Sequence, residues 1–185
     1  MREKDIFSKP LILWYLKNRR DLPWRKSRDP YRIWLSEIIL QQTRIAQGTE
    51  YYEKFTVEFD TVFELAAASE EQVLKLWQGL GYYSRARNLH ETARHLAERL
   101  NGRFPENFKG LVQLKGVGDY TASAIASIAF DLPHATVDGN VYRVLSRFFG
   151  ISTPIDTSQG IREFKSLGQE LLDPDQPGNH NQAVM

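Results

Sequence analysis

Leu114-Lys115-Gly116-Val117-Gly118-Asp119-Tyr120-Thr121-Ala122 is the stretch from which the rest of this chain can be read. A helical pattern over Phe108–Leu114 leads into it, and a run of small and apolar residues, Tyr120–Phe130, leads out. A Gly-x-Gly hairpin between two helices lets bare backbone N–H groups come close to a phosphate, because glycine has no Cβ in the way. Contacts of this kind grip nucleic acid without reading its sequence. About twenty positions beyond Gly118 stands Val137-Asp138-Gly139-Asn140-Val141. A carboxylate beside a polyanion is repelled, so Asp138 serves something other than binding. Its charge suits the stabilisation of a cationic transition state. It also suits the plain task of capping a helix from Val141 onward. The two roles are compatible, since a cap fixes the carboxylate while it faces a substrate.

Outward from this stretch the pattern is helical almost throughout. Expected helices are Ile6–Leu16, Tyr31–Gln47, Tyr51–Phe55, Val62–Ala68, Glu70–Leu80, Ser84–Leu100, Phe108–Leu114, Tyr120–Phe130, Val141–Phe149 and Ile161–Leu172. Asp29-Pro30 marks the start of the second, and Gly81, Asn101-Gly102, Pro105 and Pro133 supply breaks. No alternating strand pattern, repeat or low-complexity tract competes. Pro177-Gly178-Asn179-His180 opens one more helix; it stops within roughly a turn, too short to stand by itself. The chain is therefore expected to be a fragment that ends inside an element.

The 185 residues suffice for one good core or two small lobes. No apolar run reaches the about 18 residues of a membrane span, and the charged N-terminus leads into no signal-type segment. There is no cysteine, hence no disulfide. A net charge of +1 gives no whole-protein attraction for nucleic acid. One stretch is locally basic: Lys17, Arg19, Arg20, Arg25, Lys26, Arg28 and Arg32 stand against Asp21 and Asp29. It reads either as a solvated loop laced with ion pairs or as a DNA contact. The four histidines lack metal-ligand spacing, and no Ser-His-Asp or Walker-type pattern occurs.

Glu37 is the second candidate for chemistry. On a helix over Tyr31–Gln47, Tyr31, Trp34, Leu35, Ile38, Ile39 and Ile45 form the main apolar stripe, and Ile33 and Leu40 extend it to the other side. Glu37 falls between Trp34 and the Ile33/Leu40 pair, away from the polar face of Arg32, Ser36, Thr43 and Gln47. A poorly solvated carboxyl has a raised pKa and can serve as a general acid; the alternative is an ordinary glutamate reaching solvent or an arginine. Gln42 sits within the stripe, where its amide either finds buried partners or projects into a duplex. Gly79-Leu80-Gly81-Tyr82-Tyr83 puts aromatics on a tight loop, either as core packing or as a wedge between bases. Lys115 is an expected phosphate contact, and Tyr120 opens the helix after the hairpin.

Six motifs together resemble a known family. They are Leu22-Pro23-Trp24-Arg25, Trp34–Thr43, Gly79–Tyr83, Leu114–Gly118, Val137–Val141 and Asn181-Gln182-Ala183. They are similar to the catalytic core of the adenine DNA glycosylases, the MutY family of the endonuclease III-like helix-hairpin-helix superfamily. The likeness covers nearly the whole chain. It implies an all-α helix-hairpin-helix glycosylase fold with a DNA-binding cleft between two lobes. A six-helix barrel lobe would take in about 26–135, and about 1–25 with 136–185 would form the second. The implied reaction is removal of adenine mispaired with 8-oxoguanine or guanine from double-stranded DNA, after the nucleotide is flipped out. By the same resemblance Glu37 protonates adenine at N7 and Asp138 stabilises the oxocarbenium-like sugar, a two-carboxylate arrangement familiar from glycoside cleavage. Tyr120 and Asn140 hold the sugar side. Arg20, Trp24, Arg25 and Gln182 line the adenine pocket. Gln42 and Tyr82 enter the base stack, and Lys115, Gly116, Val117 and Gly118 hold the backbone. Carbonyls of Val112, Leu114 and Val117 resemble those that hold Na+ or K+ in such hairpins.

Tyr120 stands where relatives that also nick the backbone carry lysine, which implies base release without efficient lyase activity. Glu37 speaks for adenine and against the related thymine/uracil mismatch glycosylases. A non-catalytic helix-hairpin-helix binding module would explain the hairpin and the basic stretch but not Glu37 with Asp138. The family's [4Fe–4S] cluster needs four cysteines that these 185 residues lack, and its separate domain for recognising 8-oxoguanine is expected to be absent from them. The expectation is a monomer acting in a bacterial cytoplasm at the nucleoid, with no membrane partner.

Overall fold

A computed structural model describes residues 3–185. Among these the chain is helical and contains no strand. In order come α1 (Glu3–Asn18), a 3₁₀ turn (Pro23–Arg25), α2 (Pro30–Leu40), α3 (Ile45–Glu58), α4 (Val62–Ala67), α5 (Glu70–Trp77) and α6 (Ser84–Arg99). Then follow α7 (Phe108–Val112), α8 (Asp119–Phe130), α9 (Gly139–Phe149), α10 (Ser158–Leu171) and α11 (Pro177–Val184). No helix among the described residues is long and apolar enough to cross a membrane. The chain divides into two compact units: Asp21–Ala122, and Met1–Arg20 together with Ser123–Met185.

The Asp21–Ala122 unit holds α2 to α7 and the hairpin. Its helix starts are locally encoded. Asp29 accepts the Tyr31 N–H at 2.9 Å with Pro30 in the first turn. Thr61 with Glu64 and Ser69 with Gln72 form reciprocal capping boxes that open α4 and α5. Trp34, Phe55, Leu65, Trp77, Leu89, Leu96 and Leu111 are wholly buried. Edge-on aromatic pairs knit this core, Phe55 with Trp77 at 5.7 Å and Trp34 with Phe104 at 5.5 Å.

The expected helix over Tyr31–Gln47 is two helices. α2 ends at Leu40, Gln42 adopts a left-handed φ of 55°, and α3 starts at Ile45 and absorbs the separately expected Tyr51–Phe55. No glycine or proline marks this break. Its cause is tertiary: the Arg85 guanidinium from α6 takes the carbonyls of Ile38, Ile39 and Gln41. Gly48 then lets α3 cross close over α2, since a Cβ there would stand 2.6 Å from Leu40 Cδ2. Gln42 is consequently exposed and belongs to no apolar stripe.

In the other unit, α1 packs on α10 and α11 around Phe7, Val141, Leu145, Phe164, Leu171 and Val184. The buried Ser8 hydroxyl donates to the Leu171 carbonyl. α11 has only 8 residues, and burial of Pro177, Gly178, His180, Asn181, Ala183 and Val184 supplies what its length cannot. Asn181 works hardest in it. Its amide nitrogen donates to Ser127 Oγ and the His134 carbonyl, each at 2.8 Å, and its oxygen accepts the Thr136 N–H at 3.1 Å. Gln169 on α10 adds two more bonds, accepting the Ala135 N–H at 3.1 Å and donating to the Pro133 carbonyl at 2.8 Å, so two side chains fix the irregular stretch that delivers Asp138.

His90 lies on α6, 4% exposed, and its Nε2 has no hydrogen-bond partner. Burial lowers its pKa, and the Arg94 charge adds to this; backbone bonds at Ala68 and Ala66 and the Glu70 charge oppose it. The folded state therefore prefers the neutral ring. The unfolded chain, titrating near the ordinary 6.5, takes up the proton first. The stabilisation is full above that value and is lost as pH falls below it. Urea unfolding of the parent and His90→Gln from pH 7.5 down to about pH 5.5 reads this out. The parent should lose stability more steeply, and equal slopes would remove His90 as the cause.

Candidate functional site

The hairpin joins α7 to α8. Val117 N–H donates to the Leu114 carbonyl at 3.0 Å, and Thr92 Oγ1 on α6 donates to the Lys115 carbonyl at 2.9 Å. The turn is thereby braced from below, with Val117 buried and Gly116 and Gly118 exposed. The two glycines differ in cause. Gly116 has φ 77°, and a Cβ there would sit 2.9 Å from Asn88 Cβ. A Cβ on Gly118 would meet nothing within 4 Å. The fold requires the first glycine, whereas the second leaves open space in front of the α8 N-terminus. Lys115 Nζ pairs with Glu91 at 2.5 Å, but both side chains are about half exposed, so the pair holds the ammonium only weakly.

Asp138 is the N-cap of α9. Its Oδ1 accepts the Asn140 and Val141 N–H groups, each at 2.9 Å, and its Oδ2 accepts Asn140 Nδ2 at 3.2 Å. The carboxylate is thus fixed by three donors at the positive end of a helix. Arg143, one turn on, donates to Asn140 Oδ1 and so decides which way that amide faces. The sequence reading missed Arg143; its i+3 spacing from Asn140 on a capped helix was the available signal. An open cavity of about 340 Å³ borders this cluster, lined by Asp138, Asn140, Tyr142, Arg143, Ser146 and Ile155 among others.

Glu37 is half-buried on α2, where Ile33, Trp34, Leu35, Ser36, Ile38 and Ile39 around it are buried. Tyr120 is half-buried in the first turn of α8. Tyr82 is 69% exposed with φ 45°, so it is not core packing. Among the expected pocket residues, Trp24 is buried edge-on against Tyr52 at 5.4 Å, Arg25 is half-buried and Arg20 is exposed. Gln182 accepts the Tyr15 hydroxyl at 3.2 Å and donates to the Gly178 carbonyl at 3.1 Å, which sets the orientation of its amide. In the basic stretch Lys26 pairs with Asp21 and Arg32 with Asp60, while Lys17, Arg19 and Arg20 are exposed.

A short helix, a glycine hairpin and a second helix within an all-helical chain define the helix-hairpin-helix class. The chain belongs to the HhH-GPD superfamily of base excision DNA repair proteins, whose model matches residues 35–170. It is 46% identical over 97% of its length to an adenine DNA glycosylase of Rattus norvegicus, of which it covers 36%. The chain spans about a third of the length of the mammalian relatives it matches. Among solved structures it resembles a thermostable thymine-DNA glycosylase, with a TM-score of 0.88 and 31% identity over 98% of this chain and 84% of that one. A DNA-bound endonuclease III, with a TM-score of 0.79 and 21% identity over 100% of this chain and 85% of that one, shares the fold. With no cysteine, the chain's own residues do not fit a [4Fe–4S] cluster.

The contrast between the hairpin glycines is open to thermal unfolding. Gly116→Ala should cost about 1 kcal/mol or more, because its backbone is left-handed and its neighbour close. Gly118→Ala should stay within about 0.5 kcal/mol of the parent. Equal losses would mean that both glycines serve the fold alone.

Proposed function

We propose that this chain is the catalytic core of an adenine-specific DNA glycosylase. Its substrate is adenine opposite 8-oxoguanine or guanine in double-stranded DNA, flipped out of the stack before reaction. The observation that carries the reading is Asp138: three donors hold its carboxylate, and Oδ2 keeps a lone pair beyond its bond from Asn140. Three donors are more than a cap requires, and a fixed negative charge suits a developing sugar cation.

In this mechanism the Glu37 carboxyl donates its proton to adenine N7. The C1′–N9 bond breaks and its electron pair leaves with the base. Asp138 stabilises the oxocarbenium ion, and water adds at C1′ with loss of a proton. Half-burial among the buried residues of α2 is what favours Glu37 as the acid. Tyr120 offers no amine for a Schiff base, so the backbone is not nicked efficiently. Exposed Gln42 and Tyr82 enter the stack. The open front of Gly118, with Gly116, Val117 and Lys115, receives a backbone phosphate. Arg20, Trp24, Arg25 and Gln182 line the adenine site. The carbonyls of Val112, Leu114 and Val117 suit Na+ or K+; Leu114 O retains a second lone pair beyond its bond from Val117. The enzyme acts as a monomer on chromosomal DNA in a bacterial cytoplasm.

The likeness to a thymine-DNA glycosylase supports a second reading, excision of mismatched thymine or uracil, which has no use for Glu37 as an acid. Single-turnover base release decides between them. The parent should release adenine from an adenine:8-oxoguanine duplex and not from a thymine:adenine control. Glu37→Gln and Asp138→Asn should each slow release by about 100-fold or more. Asp138→Asn should lower the melting temperature only slightly, because asparagine keeps the Oδ1 cap and loses only the exposed bond from Asn140 Nδ2. Asp138→Asn at the parent rate would reduce that residue to a cap. Thymine release from a thymine:guanine duplex, with adenine untouched, would install the second reading.

A further inference from the structure

Arg85 on α6 reaches the ends of two segments that the proposed function sends into the base stack. Its Nη1 lies 3.1 Å from the Ile38 carbonyl, 3.3 Å from Ile39 and 2.5 Å from Gln41, the last carbonyls before the Gln42 turn. Its Nη2 lies 3.2 Å from the Leu80 carbonyl and 3.5 Å from Gly81, the residues just before Tyr82. The guanidinium carbon also stands 5.1 Å from the Trp77 ring centre and 5.8 Å from that of Tyr82. A helix C-terminus leaves carbonyls unsatisfied, and a glycine cap or water normally meets them. Here one planar cation meets them for α2 and for the tyrosine loop together.

The loop itself is tied at every carbonyl from Gln78 to Gly81. Tyr51 Oη donates to Gln78 at 2.6 Å, Gln47 Nε2 to Gly79 at 3.3 Å, Arg85 to Leu80, and Trp77 Nε1 to Gly81 at 2.9 Å. Both probes pay for a left-handed backbone, φ 55° at Gln42 and φ 45° at Tyr82, and a non-glycine residue stays there only when its surroundings hold it. An exposed aromatic on a loop so fully tied is built to be presented rigidly.

We infer that Arg85 is a positioning residue that locks the Gln42 turn and the Tyr82 loop into one rigid unit, so that both enter the duplex in a fixed relation. The inference rests on the proposed function for what the unit does, but not for the lock. Lysine keeps the charge and loses the fork, since an ammonium cannot span both sets of carbonyls. In Arg85→Lys, amide hydrogen exchange over 41–43 and 80–83 should accelerate together, by about tenfold or more, while helix content stays that of the parent. Single-turnover adenine release should slow by about tenfold, because the flipped base is less firmly presented. In a Tyr82→Ala background the same substitution should cost less than about twofold, since residues acting through one another are not additive.

Loosening of only one segment would overturn the lock. So would an equal rate loss with and without Tyr82, which would leave Arg85 as a brace of the core. If Arg85→Lys does not fold, the parent still decides: corrected exchange rates of the two segments should agree within about threefold, and widely different rates would overturn the coupling. A parent that releases no adenine would sink the functional reading alone, with the exchange measurements still judging Arg85.

Discussion

Helix ends carry backbone groups that the helix itself cannot satisfy, and this constraint organises the chain. The N-terminus of α9 takes Asp138, whose Oδ1 answers two N–H groups. The C-terminus of α2 takes Arg85 from α6. The irregular stretch after α8 is held by Asn181 from α11. In each case the partner does more than close a hydrogen bond. It fixes the direction of a chain that next delivers a residue assigned to the substrate. Apart from Glu37, which lies within α2, the candidate residues therefore sit at or beside helix ends, where a side chain is required anyway and can be held still.

Much of this was legible because it is local. Asp29-Pro30 and the Gly116 hairpin encode their geometry within four or five residues and were read directly; the two capping boxes are as local, at Thr61–Glu64 and Ser69–Gln72, but went unread. Asp138 was legible for the same reason, since a cap and its helix lie side by side in sequence. The break after Leu40 was not. Nothing between Tyr31 and Gln47 is a helix breaker, and the apolar spacing continues through Ile45. The interruption comes from Arg85, more than forty positions away, and from the close crossing that Gly48 allows. Tertiary contacts of that separation leave no local pattern, and they moved Gln42 from an expected buried stripe to an exposed turn. Arg143 went unnoticed for a milder reason: one arginine at i+3 from an asparagine is common on helix surfaces, and only the orientation of the Asn140 amide gives it meaning.

The two units use different devices to place their acids. Glu37 is half-buried on a helix whose neighbouring residues are buried, so its position depends on core packing. Asp138 is held by hydrogen bonds, so its environment is polar and its position depends on one cap. On the proposed mechanism these environments match the tasks. A proton donor gains from poor solvation, which favours its neutral form, whereas a group opposing a cation gains from donors that fix a charged form. Pairs of carboxyls with contrasting surroundings are how one site runs acid and electrostatic chemistry at a single pH.

Charge sets the last constraint. With a net charge of +1, the chain has no general field to attract DNA, and on the proposed function two carboxylates face that polyanion as well. Backbone N–H groups resolve this conflict. They attract a phosphate at short range and carry no net charge. Lys115, half exposed and paired with Glu91, adds little to that field. On the proposed function, the bare front at Gly118, where packing asks for no glycine, is the form such a grip takes, with close approach in place of charge.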